Sequence, residues 1–128
     1  MKERLTDDGS IYVQISQMIE TDILRGILLE EERVPSTNEL AKLYTINPAT
    51  AAKGVNLLVE EGTLYKKRGI GMFVSTGAAA KIRAKRKQSF YEKQLAELLT
   101  EAESLGITRR ELADHILEEE KKNGKTGM

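Results

Sequence analysis

Ile11, Ile15, Met18, Ile19 and Ile23 recur in steps of three and four, which lays one apolar stripe along a helix. Ser10 stands at an N-cap position and Gly26 where a glycine would end the turn, so the spacing predicts a first helix from Ile11 to Arg25. Ile27 to Pro35 mixes apolar and acidic residues without a period and ends on proline, as a connecting loop does. Ser36-Thr37-Asn38-Glu39 has the capping-box pattern ahead of Leu40, Ala41 and Leu43, predicting a short second helix from Thr37 to Tyr44. Asn47-Pro48 then supplies a cap and a first-turn proline whose missing N–H costs nothing. A third helix follows, with Ala51, Val55, Leu58 and Leu57 as its buried stripe and Gly62 as the stop after Glu61.

Thr63 to Lys67 and Met72 to Ser75 are short strand-like runs joined by Arg68-Gly69-Ile70-Gly71, whose glycines tolerate a hairpin turn. The order helix, helix, tight turn, helix, hairpin is that of a winged helix-turn-helix. From Gly77 the pattern becomes a long charged helix in which Tyr91, Leu95, Leu98, Ala102 and Leu105 step by four and three, a heptad-like seam. Gly106 ends it. Thr108-Arg109-Arg110-Glu111 is a second capping box, opening a last helix with Leu112, Ala113, Ile116 and Leu117 on its apolar side. The tail from Lys121 is expected to fray. The predicted fold is therefore mainly α with one small β-hairpin, a winged helix-turn-helix over 1–76 and a two-helix dimerisation region over 77–128.

Charge changes the picture only through its distribution, since twenty basic and twenty acidic residues cancel. Lys66, Lys67, Arg68, Lys81, Arg83, Lys85, Arg86 and Lys87 fall in a stretch with no Asp or Glu, while acids gather at Glu30 to Glu32, Glu60 to Glu61 and Glu118 to Glu120. A positive face suits a polyanionic partner, although charge runs are often just solvated. The chain has no cysteine, so disulfides, thiolate nucleophiles and Cys-based zinc sites are excluded. No apolar run nears the roughly 18 residues needed to span a bilayer, and a cytoplasmic protein is expected. The single histidine, His115, lies on the charged last helix without a partner for catalysis, so no enzyme, metal or cofactor is expected.

A recognition helix reads base edges with the positions its core stripe leaves outward, here Asn47, Ala49, Thr50, Lys53 and Asn56. Asn can bind adenine bidentately, Thr offers a hydroxyl and a methyl, and Lys reaches guanine or a phosphate. Ser36, Thr37 and Asn38 can meet a phosphate at the start of the second helix. Lys66, Lys67, Arg68 and Gly69 would lie along the backbone or in the minor groove. The bland alternatives are simple caps for Asn47 and Ser36, a solvated Lys53 and a solvated hairpin tip.

These residues carry a resemblance. Ile11-Tyr12-Val13-Gln14-Ile15, Val34 to Ala41, Glu61-Gly62-Thr63-Leu64 and Arg68 to Val74 together resemble the DNA-binding domain of the GntR family of bacterial regulators. Asn47-Pro48-x-Thr50-x-x-Lys53 and the short C-terminal part are similar to the YtrA-type subgroup, which implies dimerisation through two C-terminal helices. Many family members carry arginine at the positions of Asn38, Pro48 and Ala52, so guanine-reading arginines do not transfer to this chain. Gly54 is expected to weaken its helix by roughly 1 kcal/mol relative to alanine. Glu30 and Glu31 replace a usual Pro-Gly turn and are expected to loosen that loop.

The function these features imply is a sequence-specific DNA-binding transcription regulator acting as a homodimer on a (pseudo)palindromic operator in double-stranded DNA, and the subgroup resemblance implies that it is a repressor. Tyr91, Leu95, Leu98, Ala102, Leu105, Leu112 and Ile116 would form the dimer seam. Packing of that seam within the chain is the alternative. Lys81 to Lys87 could touch phosphates or remain solvated. A small-molecule effector is left unknown, because two helices can hardly enclose a metabolite. The rival function is a winged-helix module for protein–protein or RNA contact without sequence-specific DNA reading.

Overall fold

The first helix, α1 (Ile11–Leu24), buries Ile15, Met18, Ile19 and Ile23, the stripe its spacing requires. Ser10 precedes it in extended conformation but makes no side-chain cap. In this computed structural model, which describes residues 4–7 and 9–122, the order continues as α2 (Thr37–Tyr44), α3 (Pro48–Glu60), β1 (Leu64–Lys67), β2 (Gly71–Val74), α4 (Ala78–Ser89), a π-helical segment (Phe90–Leu95), α5 (Ala96–Ser104) and α6 (Arg109–Lys122). The described residues divide into two compact units, the first ending at Lys85 and the second beginning at Arg86. The expected boundary after residue 76 therefore moves, because Ala78 and Ile82 of α4 are buried in the core of the first unit.

That core joins α1 to α3. Ile15, Ile19 and Ile23 meet Val34, Leu40, Ala51, Val55, Leu58, Leu64 and Val74 in one cluster. Leu57, expected in the buried stripe, is only half-buried and faces outward. Gly54 is buried against α1. A Cβ there would stand 2.7 Å from the Tyr12 carbonyl oxygen and 3.1 Å from the Ile15 side chain. The residue expected to weaken α3 is thus the one that lets α3 approach α1.

The hairpin pairs Leu64 with Val74, Tyr65 with Phe73, Lys66 with Met72 and Lys67 with Gly71. Tyr65 and Phe73 stack with ring centroids 5.9 Å apart. Gly69, at φ 76°, takes the left-handed position of the turn. Residues 31–34, expected to be plain loop, run antiparallel beside β2: Glu31 N donates to Val74 O, Val74 N to Glu32 O and Val34 N to Met72 O, at 2.8, 3.0 and 2.9 Å. Arg33 bridges Phe73 in this ladder.

The acidic pair tightens that segment rather than loosening it. Glu31 has φ 67°, and its carboxylate accepts from the Tyr65 hydroxyl and, at 2.9 Å, from Thr76 Oγ1. Glu30 Oε1 accepts from Gly77 N at 2.8 Å. Lys85 ties α4 to the same unit. Its ammonium contacts the Glu20 carboxylate, whose side chain is 2% exposed, and lies 3.0 Å from Glu61 Oε1. Burial lowers the Lys85 pKa, but the two carboxylates more than offset this and leave it raised.

In the second unit the predicted single helix is interrupted, since Phe90 to Leu95 form a π-helical turn between α4 and α5. Gly106 ends α5, and Ile107 N donates to Ala102 O at 2.8 Å. The Thr108–Glu111 capping box opens α6, with both backbone N–H groups engaged at 3.1 Å. Helix α6 runs through Lys121 and Lys122, where fraying was expected, and residues 123–128 lie outside the described ones.

Two outcomes follow from these contacts. Gly54→Ala gains about 1 kcal/mol of helix propensity but overpacks the α1–α3 contact by about 1–3 kcal/mol, so it should lower the melting temperature, as a thermal denaturation scan would record. The Tyr65 hydroxyl first, then that of Thr76, holds the Glu31 carboxyl below the usual carboxylate range, while the same bond raises the Tyr65 phenol. A depressed carboxyl stabilises the fold above its unfolded pKa of about 4.3 and loses that as pH falls; a raised phenol stabilises it below about pH 10 and loses that as pH rises. The stability gap between wild type and Glu31→Gln should therefore be widest between about pH 5 and 9 and close at both ends, read from melts across pH.

Candidate nucleic-acid interface

The start of α2 carries both halves of its capping box. Ser36 Oγ accepts from Glu39 N at 3.0 Å, and Glu39 Oε1 accepts from Ser36 N at 2.8 Å. The Ser36 backbone bond, then its hydroxyl and the Arg33 guanidinium at 3.7 Å, keep the Glu39 carboxyl below its usual range. Ser36 is thus a cap whose hydroxyl is engaged with Glu39. Thr37 is half-buried and Asn38 exposed in the first turn, where helix N–H groups favour an anion.

Thr45 and Ile46 form the turn into α3. Thr45 adopts φ 52° and Ile46 N donates to Ala41 O at 3.0 Å. Asn47 then caps α3, its Oδ1 accepting from Ala49 N at 2.8 Å. That bond gives Asn47 its capping role, and it uses neither the amide N–H donors nor the second lone pair of Oδ1.

Lys53 is exposed, yet it is aimed. Its ammonium sits 4.3 Å from the centroid of the Tyr12 ring on α1, a cation–π contact worth about 0.5–1 kcal/mol at such a site. Beside it, Tyr12, Ala49, Ala52, Asn56 and Leu57 line an open recess of about 560 Å³, with Glu60 at its far end. The structure so brings together three of the expected groove-facing residues, Ala49, Lys53 and Asn56. Thr50 is half-buried and lies outside this recess. Tyr12, Ala52 and Leu57 were not anticipated. Nothing in the period of α1 marks Tyr12, because its role arises from the α1–α3 contact.

In the wing, Lys66, Lys67, Arg68 and Gly69 are all exposed. Lys67 folds back, its ammonium 4.5 Å from the Phe73 centroid and 5.9 Å from that of Tyr65. Lys66 and Arg68 have no such contact with the wing rings. Farther along the basic run, Lys85 is held by Glu20 and Glu61, which removes it from the set expected to reach phosphates.

The second unit presents the remaining expected residues. Tyr91, Leu98, Leu105 and Ile116 are exposed, Leu95 and Leu112 half-buried, and Ala102 buried where α5 meets α6. Phe90, packed edge-on against Tyr91 with centroids 5.6 Å apart, and Leu117 extend this apolar surface. Among the described residues, no cluster of His, Asp or Glu could hold a metal, and no helix is long and apolar enough to cross a membrane.

Comparison with known proteins places this architecture. The family described as "Bacterial regulatory proteins, gntR family" matches residues 11–74, from the start of α1 to the end of β2. The HTH-type transcriptional repressor YtrA of Bacillus subtilis is 32% identical over 108 residues, covering 84% of this chain and 82% of YtrA. A crystal structure of a GntR-family regulator from Bacteroides thetaiotaomicron superposes with a TM-score of 0.74 at 34% identity, over 88% of this chain and 98% of that one. The DNA-binding domain of AraR, solved in complex with operator ORX1, matches at 29% identity and a TM-score of 0.51, over 59% of this chain and 92% of that one. Family match, full-length relative and winged fold agree, and the chain belongs to the GntR family of bacterial transcription regulators, which are DNA-binding proteins and not enzymes.

Proposed function

We propose that this chain is a cytoplasmic repressor that binds a (pseudo)palindromic operator in double-stranded DNA as a homodimer. The observation that carries the reading is the outward surface of α3, where Lys53 is held over Tyr12 beside Ala49 and Asn56 while Ala51, Val55 and Leu58 are spent on the core. A helix anchored on one side with polar and small groups on the other can enter a major groove. Asn47, Ala49, Thr50, Lys53 and Asn56 would face base edges. Ser36, Thr37 and Asn38, with Lys66, Lys67, Arg68 and Gly69 in the wing, would hold the backbone. An operator-bound structure of the AraR domain and the repressor name of YtrA support the assignment.

Dimerisation through the second unit rests on its exposed apolar side chains, with Tyr91 59%, Leu98 45%, Leu105 65% and Ile116 58% accessible. A second copy would cover them, and two recognition helices on one duplex gain avidity that one lacks. Leu95, Ala102 and Leu112 would support that seam from beneath.

Binding of the full chain to DNA from upstream of its own gene, followed by fluorescence anisotropy, should exceed binding to random duplex and fall steeply with salt. Lys53→Ala should weaken specific binding about 5- to 100-fold, whereas Arg68→Ala should weaken specific and random DNA alike and flatten the salt slope by about one. Equal binding to upstream and random duplex would instead favour the protein–protein or RNA-binding module. Sedimentation of Leu98→Glu/Leu105→Glu, both exposed in the monomer and so compatible with folding, should report monomers where the parent reports dimers, with operator affinity lost in step.

A further inference from the structure

The recess beside α3 has a chemistry of its own. Ala49 and Ala52, three residues apart on one helix face, present methyl groups and no polar atom. The half-buried Tyr12 ring walls one side, and Lys53, drawn onto that ring, puts its ammonium on the rim. Glu60 stands at the opposite end of the recess, two turns further along α3 from Ala52 and Lys53, where its charge repels phosphate. The Ala49–Ala52 end is therefore the one that favours a duplex.

Major-groove edges offer acceptors and donors at every base pair but only one apolar group, the C5 methyl of thymine. At the Ala49–Ala52 end the methyl side chains cannot return the hydrogen bonds lost by a desolvated O6, N7 or amino group, while the polar Asn56 and Glu60 lie one and two turns further along α3 and Lys53 is held over the Tyr12 ring, so polar edges are disfavoured at that end. We propose that the Ala49–Ala52 recess, walled by Tyr12, takes the C5 methyl of one thymine per half-site, making Ala52 and Tyr12 specificity-determining residues of this regulator. The inference rests on α3 as the groove-reading helix and adds which chemical group the helix reads.

The test begins with selection of a preferred site from a random duplex pool by the full chain. Each thymine of the selected half-site is then replaced singly by deoxyuridine, which removes the methyl and keeps the pairing. One thymine per half-site should show about fourfold weaker binding on demethylation, the effect of one buried methyl. Ala52→Arg, which fills the recess, and Ala49→Ser, which places a hydroxyl in it, should each abolish that thymine-to-uracil ratio, with thermal melts confirming that both fold. Specific binding with uracil tolerated at every position overturns the proposal alone. A ratio that persists in both folded variants does the same. Failure to select any site overturns the groove-reading role of α3 and this inference together.

Discussion

The approach of α1 to α3 at Gly54 is the constraint on which the DNA-facing surface depends. With no side chain at that position, the Tyr12 carbonyl reaches the α3 backbone, and Ile15 packs flat on the same spot. One residue then acts twice. The Tyr12 backbone closes the helix pair, while its ring collects the Lys53 ammonium one position before Gly54 on α3. The inside of α3 is fixed by Ala51, Val55 and Leu58, so its outside is presented in one rotational setting rather than several.

Charge inside the first unit serves mainly as fastening. Glu39 completes the α2 cap, Glu30 and Glu31 secure the base of the wing to Gly77, Thr76 and Tyr65, and Glu20 with Glu61 holds Lys85 of α4. A chain with no net charge can still offer cations to a polyanion when its acids are occupied internally. The same bookkeeping shortens the basic run: Lys85 is engaged and Lys67 lies over the wing aromatics, while Lys66 and Arg68 stand exposed at the tip.

Much of this architecture is legible in the sequence because it follows from local rules. Ser36 with Glu39, Asn47 with Pro48, and Thr108 with Glu111 mark three helix starts through side-chain-to-backbone bonds within four residues. The stripes of α1 and α3 follow from period, with two misplaced members, Ile11, which is exposed, and Leu57, which is half-buried. What the sequence does not disclose are contacts set by tertiary approach. Gly54 looks like a weak point until α1 is laid against it, Glu31 looks like a loosened turn until Tyr65 and Thr76 come near, and residues 31–34 carry no strand alternation because β2 recruits their backbone. At the site, Lys53 and Ala49 were legible as outward positions on α3, whereas Tyr12 was invisible as a partner from another helix. The π-helical turn at Phe90 to Leu95 has no counterpart in the heptad-like spacing that runs through it.

Glu31 occupies a backbone conformation in which glycine would sit with less strain, and yet its carboxylate is what joins the loop to Tyr65 and Thr76. Drift at this position is therefore not free in either direction. A change to glycine relaxes the main chain while removing the acceptor of two hydroxyls at the base of the wing, and a change at Tyr65 leaves the side chain at 31 only its bond from Thr76. The two positions form an epistatic pair: which residue is tolerated at one depends on the history of the other, although they lie 34 residues apart in the chain.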